Sequence, residues 1–244
     1  MLAAGYGTRV RALFPDTPKA LIPVGGRPLL DHLLANIARS GAVEAAALVT
    51  NDLFLAAFER HLADHEPPLP VRLLSDRTSH ERQRLGALGD LALALDRLAC
   101  TDTVLVAATD KLLAFELTEP LAFARRRAAA VNLCVQMPDR SHIAGRHGCV
   151  LLDDASRIVD FEEKPAQPRS DLASLALYVL PPAAHSLLRD YLAGGGNPDA
   201  PGHFLAWLVQ RAPVYGYIAG GPSYDVGTPE TYAAANRAYT RRPI

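Results

Sequence analysis

The sequence predicts an α/β fold built on a largely parallel, doubly wound sheet. Three observations carry that expectation. Apolar runs of strand length alternate with stretches of helical spacing through the first half of the chain. One of those runs, "TVLVAATD" (103–110), ends in a carboxylate, at the strand end where such sheets hold their ligands. At 244 residues, 49% hydrophobic and 21% charged, the chain can bury a sizeable core without staples.

In order, "AAALVTND" (45–52) reads as a strand and a capped turn, and "LFLAAFERHL" has helical spacing. "VRLLS" (71–75) is a strand and "LGDLALALDRL" a helix, leading to the buried strand at 103–110. The second half has a different texture. "CVLLDDASRIVDFEEKP" reads as two strands joined by the turn Asp153-Asp154-Ala155-Ser156. "LASLALYVLPP" is a strand stopped by prolines, and "HSLLRDYLAGGG" is a helix with a glycine exit. "NPDAPG" is a loop, "HFLAWLVQ" a short helix and "PVYGYIA" a strand. "YDVGTPETYAAANRAY" is a strand end, a turn and a helix with Pro229 in its first turn. No internal repeat and no long linker interrupts the chain, so it reads as one domain over 1–244 with a hairpin-rich insertion.

A net charge of −1 provides no basic surface for nucleic acid or anionic lipid. No apolar run approaches membrane-spanning length, and no signal-peptide pattern opens the chain. Cys100, Cys134 and Cys149 form no CxxC pair, so a reducing, cytoplasmic setting is expected. His61 and His65 lie one helical turn apart. With no glutamate in an HExxH place they read as a solvated helix face rather than metal ligands.

Only Lys19, Lys111 and Lys164 are lysines among 25 basic residues; the other 22 are arginines. A lysine kept in so arginine-rich a chain suits a point-charge role on phosphate oxygens. The opening "LAAGYGTRV" is a glycine-rich loop ending near Arg9, and Lys19 follows in the proline-bracketed "FPDTPKALIP". A glycine loop with two cations behind it predicts a phosphate site. It is not the dinucleotide fingerprint, because Val10 stands where a third glycine is needed. There is no GxxxxGK[ST] loop and no GxSxG elbow either.

Taken together, "LAAGYGTRV…FPDTPKALIPVGGRPLL", the Thr109-Asp110 pair after a core strand, "GCVLLDDASRIVDFEEKP" and "YDVGTPETY" resemble, in that order, the signature of the sugar-1-phosphate nucleotidyltransferases. The resemblance spans Leu2 to about Tyr239. It implies a single Rossmann-like α/β domain with a mostly parallel mixed central sheet, helices on both faces and a hairpin-rich sugar-binding insertion. Its nucleotide-binding part would cover about 1–112, its acceptor-binding part about 113–228 and a C-terminal helix about 229–240. It further implies that a sugar 1-phosphate oxygen attacks the α-phosphorus of a nucleoside triphosphate, releasing pyrophosphate, with Mg2+ as cofactor.

On that resemblance Arg9 and Lys19 act on the reacting phosphates, and Leu2, Ala3, Ala4, Gly5, Gly7, Thr8 and Gly86 bind the nucleotide. Gly148, Glu163 and Lys164 bind the acceptor, and Asp110 and Asp225 hold Mg2+. Ser75 and Asp76 stand where the base would be read. Lys111, directly after Asp110, is a candidate auxiliary charge, with the alternative that it points outward from the strand end.

The chain departs from the family pattern at several places. The usual G-T-A reads Gly86-Ala87-Leu88, the usual G-D-N reads Thr109-Asp110-Lys111, and the usual T-G reads Leu175-Ala176. The added volume at Leu175 and Ala176 is expected to reshape the sugar pocket. The family also carries a few apolar residues ahead of LAAG. Here that strand is expected to be very short, or the native chain to begin upstream of Met1. Two other readings stay open: a cytidylyltransferase acting on a non-sugar phosphate of choline, inositol or phosphonate type, and a non-catalytic relative that binds nucleotide sugar.

Overall fold

A computed structural model describes residues 1–7, 10 and 13–240. The chain folds into two compact units, one formed by Met1–Arg84, Ala108–Thr118 and the segment from Pro222 onward, the other by Leu85–Ala107 and Glu119–Gly221. In chain order the elements are β1 (Pro23–Val24), β2 (Arg27–Pro28), α1 (Leu29–Arg39), β3 (Ala46–Thr50), α2 (Leu55–Asp64), β4 (Val71–Ser75), α3 (Ala87–Arg97), β5 (Val104–Ala107) and β6 (Lys111–Leu113). There follow α4 (Thr118–Arg127), β7 (Ala130–Gln136), β8 (Cys149–Leu152), β9 (Ile158–Glu162), β10 (Leu172–Leu180), α5 (Pro182–Ala193), α6 (Pro201–Leu208), β11 (Val214–Ile218), β12 (Ser223–Asp225) and α7 (Pro229–Thr240). Among the described residues, no helix is long and apolar enough to cross a membrane.

In the first unit β3 and β4 pair in parallel from Ala46–Val71 to Thr50–Ser75, with α2 as the crossover that parallel neighbours require. The strand expected ahead of the glycine loop is very short. Leu2 alone bridges Val49 and Ala108, both in parallel, and the Ala3 N–H donates to the Val49 carbonyl at 2.8 Å. β6 and β12 pair antiparallel, with Lys111 opposite Asp225 and Leu113 opposite Ser223. Beneath that pair lies an apolar floor of Ile22, Val24, Leu29, Leu112, Val226 and Ala235. Fully burying each large aliphatic side chain there contributes roughly 1.5–3 kcal/mol, which is what fixes the short β6–β12 ribbon in place.

One expectation is corrected in this unit. His61 is not on a solvated face: its Nε2 lies 2.7 Å from Oδ1 of Asp31 on α1, and its side chain is 9% exposed. His61 thus ties α2 to α1, while His65, stacked on it at 4.7 Å, is exposed as expected. Among the described residues no group of three or more metal-binding side chains is formed.

The second unit is organised by a six-stranded sheet in the order β11-β7-β10-β8-β9, with β5 also paired to β10. The sheet is mixed, as expected, but its parallel share is small. Only β11–β7 is parallel, whereas β10 runs antiparallel to β5, β7 and β8. The tight turn at Asp153–Ser156 makes β8 and β9 antiparallel neighbours, and β10 pairs with the other edge of β8, also antiparallel. The β8–β9 hairpin turns at Asp153–Ser156 as the sequence predicts, with the Ser156 N–H on the Asp153 carbonyl at 3.0 Å. β7 is an element the sequence reading left out. α6 also starts inside the expected loop, at Pro201 in its first turn.

β10 carries a register shift between Ser174 and Tyr178 on its β7 side. Ala176 stands in it with φ of 55°. Asn132 of β7, fully buried, donates to Ser174 Oγ at 3.0 Å and to the Leu177 carbonyl at 3.4 Å, giving the irregular backbone an acceptor's partner.

Candidate active site

In the first unit the expected phosphate-binding and metal-binding residues converge. Lys19 sits in a single 3-10 turn after Pro18, and its Nζ lies 2.7 Å from Oδ2 of Asp110. A Cβ placed on Gly7 would stand 3.7 Å from the Lys19 Cβ, so the glycine loop runs alongside the lysine. Asp110 occupies the turn between β5 and β6, and its carbonyl accepts the Val226 N–H at 2.9 Å, extending the β6–β12 ribbon by one step. Asp225 ends β12. From the Cβ position of Gly227, Oδ2 of Asp225 is 3.3 Å away and Nζ of Lys19 is 3.6 Å away. The Asp225 oxygen and the lysine nitrogen are therefore no farther apart than the sum of those two distances. Two carboxylates and one ammonium thus share a small volume over the apolar floor.

Burial pushes the Asp110 carboxyl upward. The Lys19 charge, the Lys111 charge and the Lys19 hydrogen bond outweigh it, so Asp110 is held below its ordinary 3.8. Lys111 therefore bears electrostatically on the site, directly across the ribbon from Asp225. The Thr109 side chain, where the family has glycine, donates to the Leu2 carbonyl at 3.0 Å. That departure ties the Asp110 turn to the start of the chain.

The glycine loop is held from behind. Asn51, fully buried, donates through Nδ2 to the Ala4 carbonyl at 2.9 Å. The Tyr6 hydroxyl lies 3.0 Å from Thr78 Oγ1, and Thr78 donates from both its hydroxyl and its N–H to the Asp76 carboxylate. Asp76 is 5% exposed, and burial raises its carboxyl above the ordinary value against the pull of the Thr78 hydrogen bonds. Its carboxylate is thus engaged inside the fold and reaches the loop through Thr78 and Tyr6. Ser75 likewise bonds Asp52. Thr8 and Arg9 lie outside the described residues.

The second unit gathers the expected acceptor residues. A Cβ on Gly148 would meet Phe161 Cζ at 2.5 Å and Glu163 Oε2 at 3.2 Å, so glycine there clears room first for the Phe161 ring, with the Glu163 carboxylate beside it. A Cβ on Gly202, in the first turn of α6, would overlap the same Oε2. Glu163 is 13% exposed, with Lys164 Nζ 3.7 Å from its Oε1. Lys164 has φ of 47°, a left-handed backbone that costs a non-glycine residue about 1–2 kcal/mol. Tyr178 lies close by: burial raises its hydroxyl above the ordinary range, the Ser174 hydrogen bond lowers it, and the Glu163 charge raises it further.

Gly86, expected to touch the nucleotide, precedes α3 in this unit with the Pro198 backbone against it. Leu88, where the family pattern has alanine, is 2% exposed and belongs to the core. Residues the sequence reading missed are Gly202, Gly227, Thr78 and Asn132. The glycines sat in stretches read as turn or loop, and nothing in the sequence separates a glycine that turns the chain from one that clears room for a distant carboxylate.

The pattern described as nucleotidyl transferase matches residues 1–242. The chain is 30% identical over 257 aligned positions to a glucose-1-phosphate adenylyltransferase of Thermomicrobium roseum, covering 98% of this chain and 58% of that protein. It is 29% identical over 245 positions to a mannose-1-phosphate guanylyltransferase of Mycobacterium tuberculosis, covering 99% and 64%. The chain therefore spans about six tenths of the length of these relatives. Its fold is that of a UDP-glucose pyrophosphorylase solved with UDP-glucose, at a TM-score of 0.82 and 19% identity, covering 99% of this chain and 97% of the other. The same pyrophosphorylase fold without ligand aligns at 0.81 and 20% identity, covering 98% and 96%. With the signature matched along nearly all of its length, this chain belongs to the nucleotidyl transferase family.

Proposed function

We propose that this protein transfers a nucleotidyl group from a nucleoside triphosphate to a sugar 1-phosphate, releasing pyrophosphate and forming a nucleotide sugar. The observation that carries the reading is the grouping of Lys19, Asp110 and Asp225 beside the glycine loop. Both curated relatives, named for a sugar 1-phosphate, support the acceptor class.

Transfer of a nucleotidyl group asks a protein mainly for position and charge neutralisation. Leu2, Ala3, Ala4, Gly5 and Gly7 bring backbone against the nucleotide, and Asp76 holds that loop through Thr78 and Tyr6. Lys19, aimed by Asp110, places its ammonium on the phosphates as charge builds on the leaving group. Arg9 adds a fork of donors to the same phosphates. In the other unit Lys164 takes the acceptor's phosphate, while Glu163 and the Gly148 backbone orient its hydroxyls. Gly86 supports the nucleotide from the start of α3.

Two carboxylates, with no third metal-binding side chain grouped with them among the described residues, suit a hard cation that completes its shell with phosphate oxygens and water. Asp110 and Asp225 would hold Mg2+, which when bound supplies positive charge to the triphosphate. Lys111 adds a fixed charge beside them. The test is a pyrophosphate-release screen crossing the common triphosphates with sugar 1-phosphates and with phosphocholine, inositol phosphate and phosphonate acceptors. Turnover confined to sugar 1-phosphates is the expected outcome. Turnover confined to the other acceptors, or none with any pair, overturns the reading.

A further inference from the structure

The segment Asn197–Gly202 touches two residues that the proposed function assigns to different substrates. At one end, Pro198 lies against Gly86. Gly86 has φ 78° and ψ 162°, a region essentially restricted to glycine. A Cβ there would meet the Pro198 carbonyl carbon and oxygen at 2.6 Å and the Asp199 nitrogen at 2.9 Å. The Pro198 carbonyl accepts the Leu88 N–H at 2.9 Å, capping the first turn of α3 where no side chain does. At the other end, the Gly202 backbone walls the slot that holds Glu163 Oε2. Only three residues separate Pro198 from Gly202.

The segment itself is braced. The Asp199 N–H donates to Asn197 Oδ1 at 2.9 Å, and the Tyr191 hydroxyl donates to the Asn197 carbonyl at 3.3 Å. Pro198 and Pro201 each fix a backbone angle. α6 then packs Phe204 and Trp207 on Tyr191, with ring centroids at 5.5 and 5.6 Å. The two prolines and the aromatic contacts limit how far the segment can bend between its ends.

We propose that Asn197–Gly202 is a positioning clamp that fixes the start of α3 and the Glu163 carboxylate in one register, so that the nucleotide end and the acceptor end are set by the same piece of backbone. Gly86 and Gly202 are its two contact points, and both must be glycine for the contacts to form. The inference rests on the proposed function for what each end binds. The mechanical link between the two ends does not depend on it.

Amide hydrogen exchange reads the link without any substrate. In Gly202→Ala the added methyl displaces either Glu163 or α6, and a rigid segment carries the shift to Pro198. Exchange of the Leu88 N–H is then expected to quicken by about tenfold, with Leu133 in the sheet unchanged. Adding Glu163→Asp to Gly202→Ala shortens the acid by one methylene and is expected to restore Leu88 protection. Unchanged Leu88 exchange, or equal acceleration at Leu133, overturns the clamp. Kinetics read its consequence: Gly202→Ala is expected to raise the acceptor KM by about tenfold and the triphosphate KM by about threefold. Faster Leu88 exchange with both KM values at wild type reduces the segment to scaffold and overturns the positioning role. If the wild-type chain turns over no substrate pair, the functional reading fails and the exchange result still decides the link.

Discussion

Nζ of Lys19 lies 2.7 Å from Oδ2 of Asp110, and the two arrive from segments 91 residues apart. The contact gives the lysine a direction and the carboxylate a charge partner. Under the proposed function the same ammonium neutralises the phosphates. Lys19→Met, which keeps the length and removes the charge, is expected to lower kcat by at least about a hundredfold, with a smaller rise in KM for the triphosphate. Lys19→Arg is expected to recover little, because the guanidinium fork is larger and its charge more spread than the lysine's point charge. A steady-state comparison of the two variants checks this. Unchanged kcat with weaker triphosphate binding would rule out a transition-state role.

The same pair sets an acid limit. Asp110 is held below its ordinary 3.8 in the folded chain, Lys19 being the largest of the groups that lower it. A carboxyl depressed on folding contributes stability above its unfolded value and loses it as pH falls through the folded one. Asp110→Asn is therefore expected to flatten the melting-temperature profile below about pH 4 relative to wild type. An acid limb as steep in the variant as in the wild type would assign the loss to other carboxylates.

Asp225 reaches the Lys19–Asp110 pair across the β6–β12 ribbon, and Asp225→Asn tests the metal role apart from the ion pair. It is expected to cut turnover by at least about a hundredfold and to shift the Mg2+ titration upward. The fold should stand, because the Asp225 side chain is exposed and the ribbon pairs through backbone. An Mg2+ titration with the wild-type midpoint would remove Asp225 from the metal site.

Lys111 stands opposite Asp225 and lowers the Asp110 carboxyl. Lys111→Asn removes a fixed charge that shares the phosphate load. It is expected to raise KM for the phosphate substrates by about three- to tenfold and to steepen the Mg2+ dependence. Wild-type KM values and an unaltered Mg2+ curve would leave Lys111 as a surface charge.

Part of the candidate site was legible where residue type restricts the role. The few lysines, a glycine loop and two strand-end aspartates were read together, and Lys19, Asp110 and Asp225 do group in the first unit, whereas Lys164 lies in the second. Local periodicity also located most strands, because a half-buried strand must alternate and a helix must repeat. Strand direction was less legible: β10 pairs antiparallel with β5, β7 and β8, segments distant in sequence whose pairing apolar runs do not encode. The role of Asp76 was hidden too, since a buried carboxylate bonded to a threonine two residues away looks, in sequence, like any acid after a strand. His61 was misread for the same reason, its partner Asp31 lying 30 residues upstream on another helix.

Ala176 offers the clearest stability test, because its departure from the family glycine has a visible cost. Its φ of 55° lies in the left-handed region, in the irregular stretch of β10. An L-residue there costs about 1–2 kcal/mol through the clash of Cβ with its own backbone. Glycine removes that clash but enlarges the unfolded ensemble, which returns about 0.5–1 kcal/mol of the gain. Ala176→Gly is therefore expected to stabilise the chain by about 0.5–1 kcal/mol, a rise of roughly 1–4 °C in Tm at this chain length. Ala176→Val, with a branched side chain in the same conformation, is expected to lose more than wild type by at least about 1 kcal/mol. Ala128, at φ 49° just past α4, shares the backbone class and is remote in sequence from the stretch. Ala128→Gly should show the same thermal gain. The two glycine variants then part in kinetics. Ala176 lies next to the Asn132–Ser174 bond and two residues from Tyr178, whose hydroxyl senses Glu163. Loosening that backbone is expected to raise the acceptor KM by about twofold or more in Ala176→Gly and to leave it unchanged in Ala128→Gly. Equal acceptor KM values in the two would confine Ala176 to stability, and a lower Tm in Ala176→Gly would show that the alanine methyl contributes more by packing than its backbone strain costs.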